Sequence, residues 1–133
     1  MPVDLHYICK RGENFRWLGE VGLFETGNWT AGDDLAELAL GGRVFLHTAQ
    51  KEQAWHGGTI LQSRSAPAPQ QTRKIFTYRT DLDFRVFCPA RWSQQIATAW
   101  WAEDRSELLT RDVYLKSARL RPSIDGQLPT RPA

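Results

Sequence analysis

Gly42-Arg43-Val44-Phe45-Leu46-His47-Thr48 and, after a polar interval at residues 49–53, Ala54-Trp55-His56-Gly57-Gly58-Thr59-Ile60-Leu61 decide the fold. Each run is short, apolar at its centre and rich in β-branched or aromatic residues. The interval is short enough for a turn, so the two read as paired strands. Gly57-Gly58 inside the second run implies a bulge, or the close approach of another backbone or a ligand. Upstream, Thr26-Gly27-Asn28-Trp29 reads as a turn into a helix. Thr30 is a suitable N-cap, Asp33 and Asp34 suit the positive first turn, and Gly41-Gly42 stops the segment. Leu35, Leu38 and Ala39 share one face, which predicts an amphipathic helix of about three turns.

Working outward, His6-Tyr7-Ile8-Cys9-Lys10 is a β-prone run ended by the turn Arg11-Gly12-Glu13-Asn14, and residues 15–24 suggest a loop or short strand. Residues 63–72 hold Pro67 and Pro69 without apolar periodicity and predict a mobile loop. Residues 73–79 alternate as a strand, Asp81-Leu82-Asp83 turns the chain, and Phe84-Arg85-Val86-Phe87-Cys88 alternates as another. From Pro89, residues Trp92, Ile96, Ala99 and Trp100 fall on one helical face, and Val113-Tyr114-Leu115 suits a last edge strand. Residues 1–121 read as one globular domain and 122–133 as a Pro-rich tail. The expected class is α+β: a small mixed sheet or part-open β-barrel with flanking helices.

A chain of 133 residues fits one domain, and 41% hydrophobic content excludes disorder and collagen-like repeats. The net charge of +2 is too small to announce a nucleic-acid binder by itself. Its distribution is uneven, with residues 1–63 acidic and the remainder basic and Arg-rich. Arg64, Arg73, Arg79 and Arg85 are candidates for phosphate contacts, because guanidinium forks match phosphate oxygens. The two cysteines, Cys9 and Cys88, form no CxxC pair, and the opening Met1-Pro2-Val3-Asp4 lacks a basic n-region and apolar h-region. These features give the expectation of a cytoplasmic protein with reduced thiols and no membrane span.

The run from Trp29 to Arg64, a helix closed by paired Gly followed by the two strands above, resembles the PUA-like superfamily, particularly its EVE and ASCH members. The likeness covers residues 6–88 by order of elements. Arg43 stands where an acidic residue is common in EVE domains, and the ASCH G-x-K-x-x-E signature is absent. The resemblance implies a pseudo-barrel that binds RNA or modified DNA. A flipped base would lie in an aromatic pocket between the first strand, the helix entry and the hairpin.

Under that reading, Trp29, His47, Trp55 and His56 supply rings, while Asn28 and Thr48 supply edge contacts to a base. Thr30 and Gln50 are further edge candidates. The three histidines lack metal-ligand spacing, and no G-x-S-x-G, Walker or paired-carboxylate pattern is present. The expectation is therefore a non-catalytic module without metal or cofactor. The rival is a small interaction or inhibitor protein that occludes a protein partner, anchored by Trp101 beside Arg91 and Arg105.

Overall fold

A computed structural model describes residues 2–120; the expected tail at 122–133 lies outside the described residues. Eight strands form one mixed sheet: β1 (Val3–Ile8), β2 (Phe15–Trp17), β3 (Leu23–Thr30), β4 (Arg43–His47), β5 (Ala54–Ser65), β6 (Arg73–Thr80), β7 (Ile96–Trp101) and β8 (Leu108–Leu109). Two short helices, α1 (Asp33–Leu38) and α2 (Arg111–Leu120), accompany it. The spatial order is β2-β3-β6-β5-β4-β1-β7-β8, so β2 and β8 are the edges. Only β1 and β4 are parallel neighbours; the other pairs are antiparallel.

The central hairpin pairs as its sequence predicts, with Phe45 opposite Gly57 and Arg43 opposite Thr59. The glycine pair admits neighbouring strands. A Cβ at Gly57 would stand 2.6 Å from the Val44 carbonyl oxygen and 2.8 Å from the Phe45 ring, and one at Gly58 would collide with the Arg79 carbonyl oxygen. The register shift of this hairpin lies instead between Leu46 and His47, where Trp55 is the additional residue.

Four expectations need correction. Residues 96–101 form a strand, not a helix: buried Ala97 and Ala99 alternate with Thr98 and Trp100, opposite His6 and Asp4 of β1. An apolar run this short satisfies both periods, and strand pairing decides between them. Trp100 and Trp101 consequently face opposite sides of the sheet. Val113, Tyr114 and Leu115 belong to α2 instead of an edge strand, because the Thr110 hydroxyl accepts from the Val113 N–H and caps the helix. Residues 84–88 cross the sheet without joining a strand; the Val86 N–H bonds locally to the Phe84 carbonyl, which bends the backbone out of register. Thr30 is still paired with Arg73 in β3, so the N-cap of α1 is Gly32 and the helix is correspondingly short.

The core lies on one face of β1 and its neighbours. Val3, Leu5 and Tyr7 alternate inward and meet Val44, Leu46, Trp29, Ile60, Phe76 and Tyr78, all buried. Tyr7 and Trp29 stack at 4.4 Å with an interplanar angle of 9°. From the far end, α2 sets Tyr114 against Trp100. The alternate residues of β1, Asp4 and His6, point to the other face, where residues 84–92 cover them.

Candidate functional site: a polar cleft at the end of the first strand

A cleft of about 620 Å³ opens where β1 ends. Cys9 and Lys10 form one wall, Asn28, Trp29 and Thr30 of β3 a second, and Ser93, Gln94 and Gln95 a third. Thr48, just past β4, and Arg73, at the start of β6, complete the rim. Parallel pairing brings the ends of β1 and β4 side by side, and the shift in β3 between Thr26 and Trp29 turns Asn28 toward the opening.

Trp29 is a wall rather than a free platform. Its exposure is 7%, its ring lies on Tyr7, and its indole N–H donates to the Thr26 hydroxyl at 2.9 Å. The Asn28 amide donates to Gln70 Oε1 at 2.9 Å, which leaves its carbonyl oxygen as an acceptor. Arg73 donates to the Asn28 backbone carbonyl at 3.3 Å, and no carboxylate pairs with it among the described residues. Its charge is therefore available at the rim. Lys10 adds a second cation and Glu13 the opposing carboxylate. Cys9 Sγ donates to the Glu13 carbonyl, and burial together with the Glu13 charge raises this thiol to about 11. It stays protonated near neutral pH, unlike an activated nucleophile.

Of the six residues expected around a base, the fold brings Asn28, Trp29 and Thr48 together in this cleft. The other three lie elsewhere. Trp55 is 8% exposed, donates to the Cys9 carbonyl at 3.4 Å and packs edge-on to Phe15. Trp29 and Trp55 thus do not face each other across an open slot. His56 sits among Phe15, Phe24 and Phe84. Its Nδ1 accepts from the Tyr78 hydroxyl at 2.7 Å, and its Nε2 approaches the Thr80 hydroxyl at 3.4 Å. Burial lowers its basicity and raises that of the Tyr78 phenolate, so both stay neutral.

His47 belongs to a buried pair. His47 Nδ1 lies 2.8 Å from the Glu52 carbonyl, and its Nε2 lies 2.9 Å from His6 Nδ1. Burial depresses both imidazoles, His6 to about 3 with the His47 contact adding to the effect and Asp4 opposing it. Both rings are therefore neutral near pH 7, and the carbonyl fixes their tautomers. His47 donates from Nδ1 to Glu52, and its Nε2 accepts from His6 Nδ1–H. His6 Nε2 is left as an acceptor without a donor among the described residues.

The four candidate phosphate contacts also separate. Arg64 is held by Glu25 at 3.0 Å and Arg79 by Glu20 at 2.8 Å, while Arg85 lies over the Phe84 ring. Arg16 shares Glu25 at 2.6 Å; burial opposes ionisation there, but the two arginines outweigh it and lower its pKa. Arg73 alone of the four lines the cleft. Trp101 turns inward: its indole N–H donates to Asp4 Oδ2 at 2.9 Å, with Arg105 over the ring. Arg91 is exposed on the connection before β7.

Ser93, Gln94 and Gln95 were hidden from sequence reading because their segment carries a helical apolar pattern. Asn14 and Gln94, at φ of 61° and 58°, adopt left-handed backbone and both line the cleft. Only Asn14 gave a sequence signal, as part of a turn. Among the described residues, no group of three His, Cys, Asp or Glu side chains is placed to hold a metal ion, and no helix is long and apolar enough to cross a membrane. Comparisons with family models, with curated proteins and with solved structures find no significant match to this chain.

Proposed function

We propose that this protein is a non-catalytic, PUA-like nucleic-acid-binding module whose cleft receives a base, including a modified or flipped one. The observation that carries the reading is the convergence of Asn28, Trp29, Thr48 and Arg73, which has no carboxylate partner among the described residues, on one polar opening. A base edge needs a few fixed donors and acceptors, and Asn28, Thr30 and Thr48 offer both kinds. Its phosphates need cations that are not already neutralised, which Arg73 and Lys10 offer at the rim. The left-handed backbone at Asn14 and Gln94 fits a pre-formed site, since such conformations gather where ligands are held. Trp101, the anchor of the protein-occlusion alternative, is engaged with Asp4, so the cleft is the better-supported surface.

The test is binding of single-stranded RNA and DNA oligonucleotides, with and without modified bases, at low salt. Affinity is expected to fall as salt rises, and Asn28→Ala is expected to weaken binding about tenfold through a lost edge contact. Absence of binding across the panel at low salt would overturn the reading.

A further inference from the structure

On the opposite face of β1 lies a second, smaller cavity of about 270 Å³. This is below the roughly 300–1,000 Å³ typical of sites for drug-sized ligands, and suits a single ring. Phe45 and Trp101 form apolar walls, and Phe87, 60% exposed, stands at the mouth. Polar groups reach it from Asp4, His6, Arg43 and Arg105.

Asp4 is saturated. Its Oδ1 accepts from the Arg43 backbone N–H and Arg105 Nη2, and its Oδ2 from Arg105 Nη1 and the Trp101 indole. Arg105 is thereby committed, and its backbone is left-handed at φ of 59°. Two groups remain open. The Arg43 guanidinium has only long ion pairs, 3.7 Å to Asp81 and 3.5 Å to Asp83, and no side-chain hydrogen bond among the described residues. His6 is 1% exposed, stacked on Phe45 at 4.8 Å, and its Nε2 has no protein donor among the described residues. A buried acceptor without a donor is costly and calls for a partner.

We propose that this cavity binds a small neutral planar lactam, whose ring N–H donates to His6 Nε2 and whose adjacent carbonyl accepts from Arg43. A lone pair on His6 and the nearby Asp81 and Asp83 disfavour an anion, while the Arg43 guanidinium disfavours a cation. A donor beside an acceptor on one flat edge satisfies both open groups at once. Uracil is the simplest probe of that edge, and it can come free or as a base within a nucleic acid.

The test follows imidazole nitrogens and the Trp101 indole N–H by NMR in the full chain during titration with uracil, 1,3-dimethyluracil and a short oligouridylate. Uracil is expected to give saturable shifts at His6 Nε2 and Trp101, and dimethyluracil, lacking the donor, none. Arg43→Gln is expected to weaken uracil about tenfold, and shifts centred on His6 and Trp101 separate this site from the cleft. Tighter shifts with oligouridylate would assign the ring to a nucleic acid, and shifts with uracil alone to a free heterocycle; both support the proposal. No shift at millimolar uracil, or equal binding of dimethyluracil, would overturn it.

Discussion

One strand, β1, serves two unlike regions through its alternating pleat. Tyr7 faces the core and backs the wall of the open cleft, stacked on Trp29. Its neighbour His6 faces the smaller cavity, locked to His47 and stacked on Phe45. The cleft holds polar side chains with unused capacity and a cation without a carboxylate partner among the described residues. The cavity holds a charge that is fully compensated, Asp4, beside an acceptor that is not. Exposed sites tolerate loose polar groups because water satisfies them, whereas buried ones must be matched within the protein or by a ligand. The contrast lies in the burial of single groups: His6 is buried, whereas Arg73 stands exposed at its rim.

The comparison can be tested most severely at Tyr7. Tyr7→Ala removes a fully buried ring beneath Trp29 and is expected to cost about 3–5 kcal/mol, read from denaturant midpoints. Leu82→Ala, at a nearly fully exposed position, should stay within about 0.5 kcal/mol in the same assay. If the two changes cost the same, the core has been misplaced.

Arg105→Ala comes next. It strips two charge-assisted bonds from buried Asp4, a loss of about 1.5–3 kcal/mol, taken at the low end because Arg105 is one-third exposed. Unfolding in denaturant should report it.

The histidine pair predicts a pH dependence. His6 titrates near 6.5 when unfolded and near 3 when folded, so between those values the unfolded chain holds more protons. Stability is then fully present above about 6.5 and is lost as pH falls toward 3, by up to about 1.4 kcal/mol per pH unit. His47, also depressed by burial, acts in the same direction. Urea midpoints across this range should show the slope, and His6→Phe should flatten it. A profile unchanged by that substitution would mean the imidazole is not buried neutral.

The smallest effect belongs to the cleft. Arg73→Ala is expected to lower the slope of log affinity against log salt by about 0.7 for single strands, the share of one phosphate contact. Arg64→Ala and Arg79→Ala should change it little, since Glu25 and Glu20 already hold those charges. Equal effects at all three would replace a defined rim contact with a diffuse basic surface.

The legible part of this chain was the part governed by local pattern. Residues 43–47 and 54–61 were readable as paired strands because their apolar centres and bounding polar turns leave one arrangement. Gly57-Gly58 announced a close approach, and neighbouring backbone on both sides supplies it. Asn28, Trp29 and Thr48 were grouped through the PUA-like resemblance, and the fold brings them to one cleft although Asn28 and Trp29 lie in β3 rather than in a turn. Residues 96–101 were not readable: their apolar spacing suits a helix, and only pairing with β1 makes them a strand. The third wall of the cleft was hidden with them.

Sequence by itself determined the mixed α and β composition, the central hairpin and which side chains carry charge, since these depend on residues close along the chain. Tertiary structure alone decided which charges remain free and which rings are exposed. Arg73 and Arg79 look alike in sequence, yet Glu20 meets one and no carboxylate among the described residues meets the other. His6 and His47, far apart in sequence, share a proton donor and acceptor because parallel pairing of β1 with β4 brings them together. Those outcomes depend on burial and on partners remote along the chain, which no local pattern encodes.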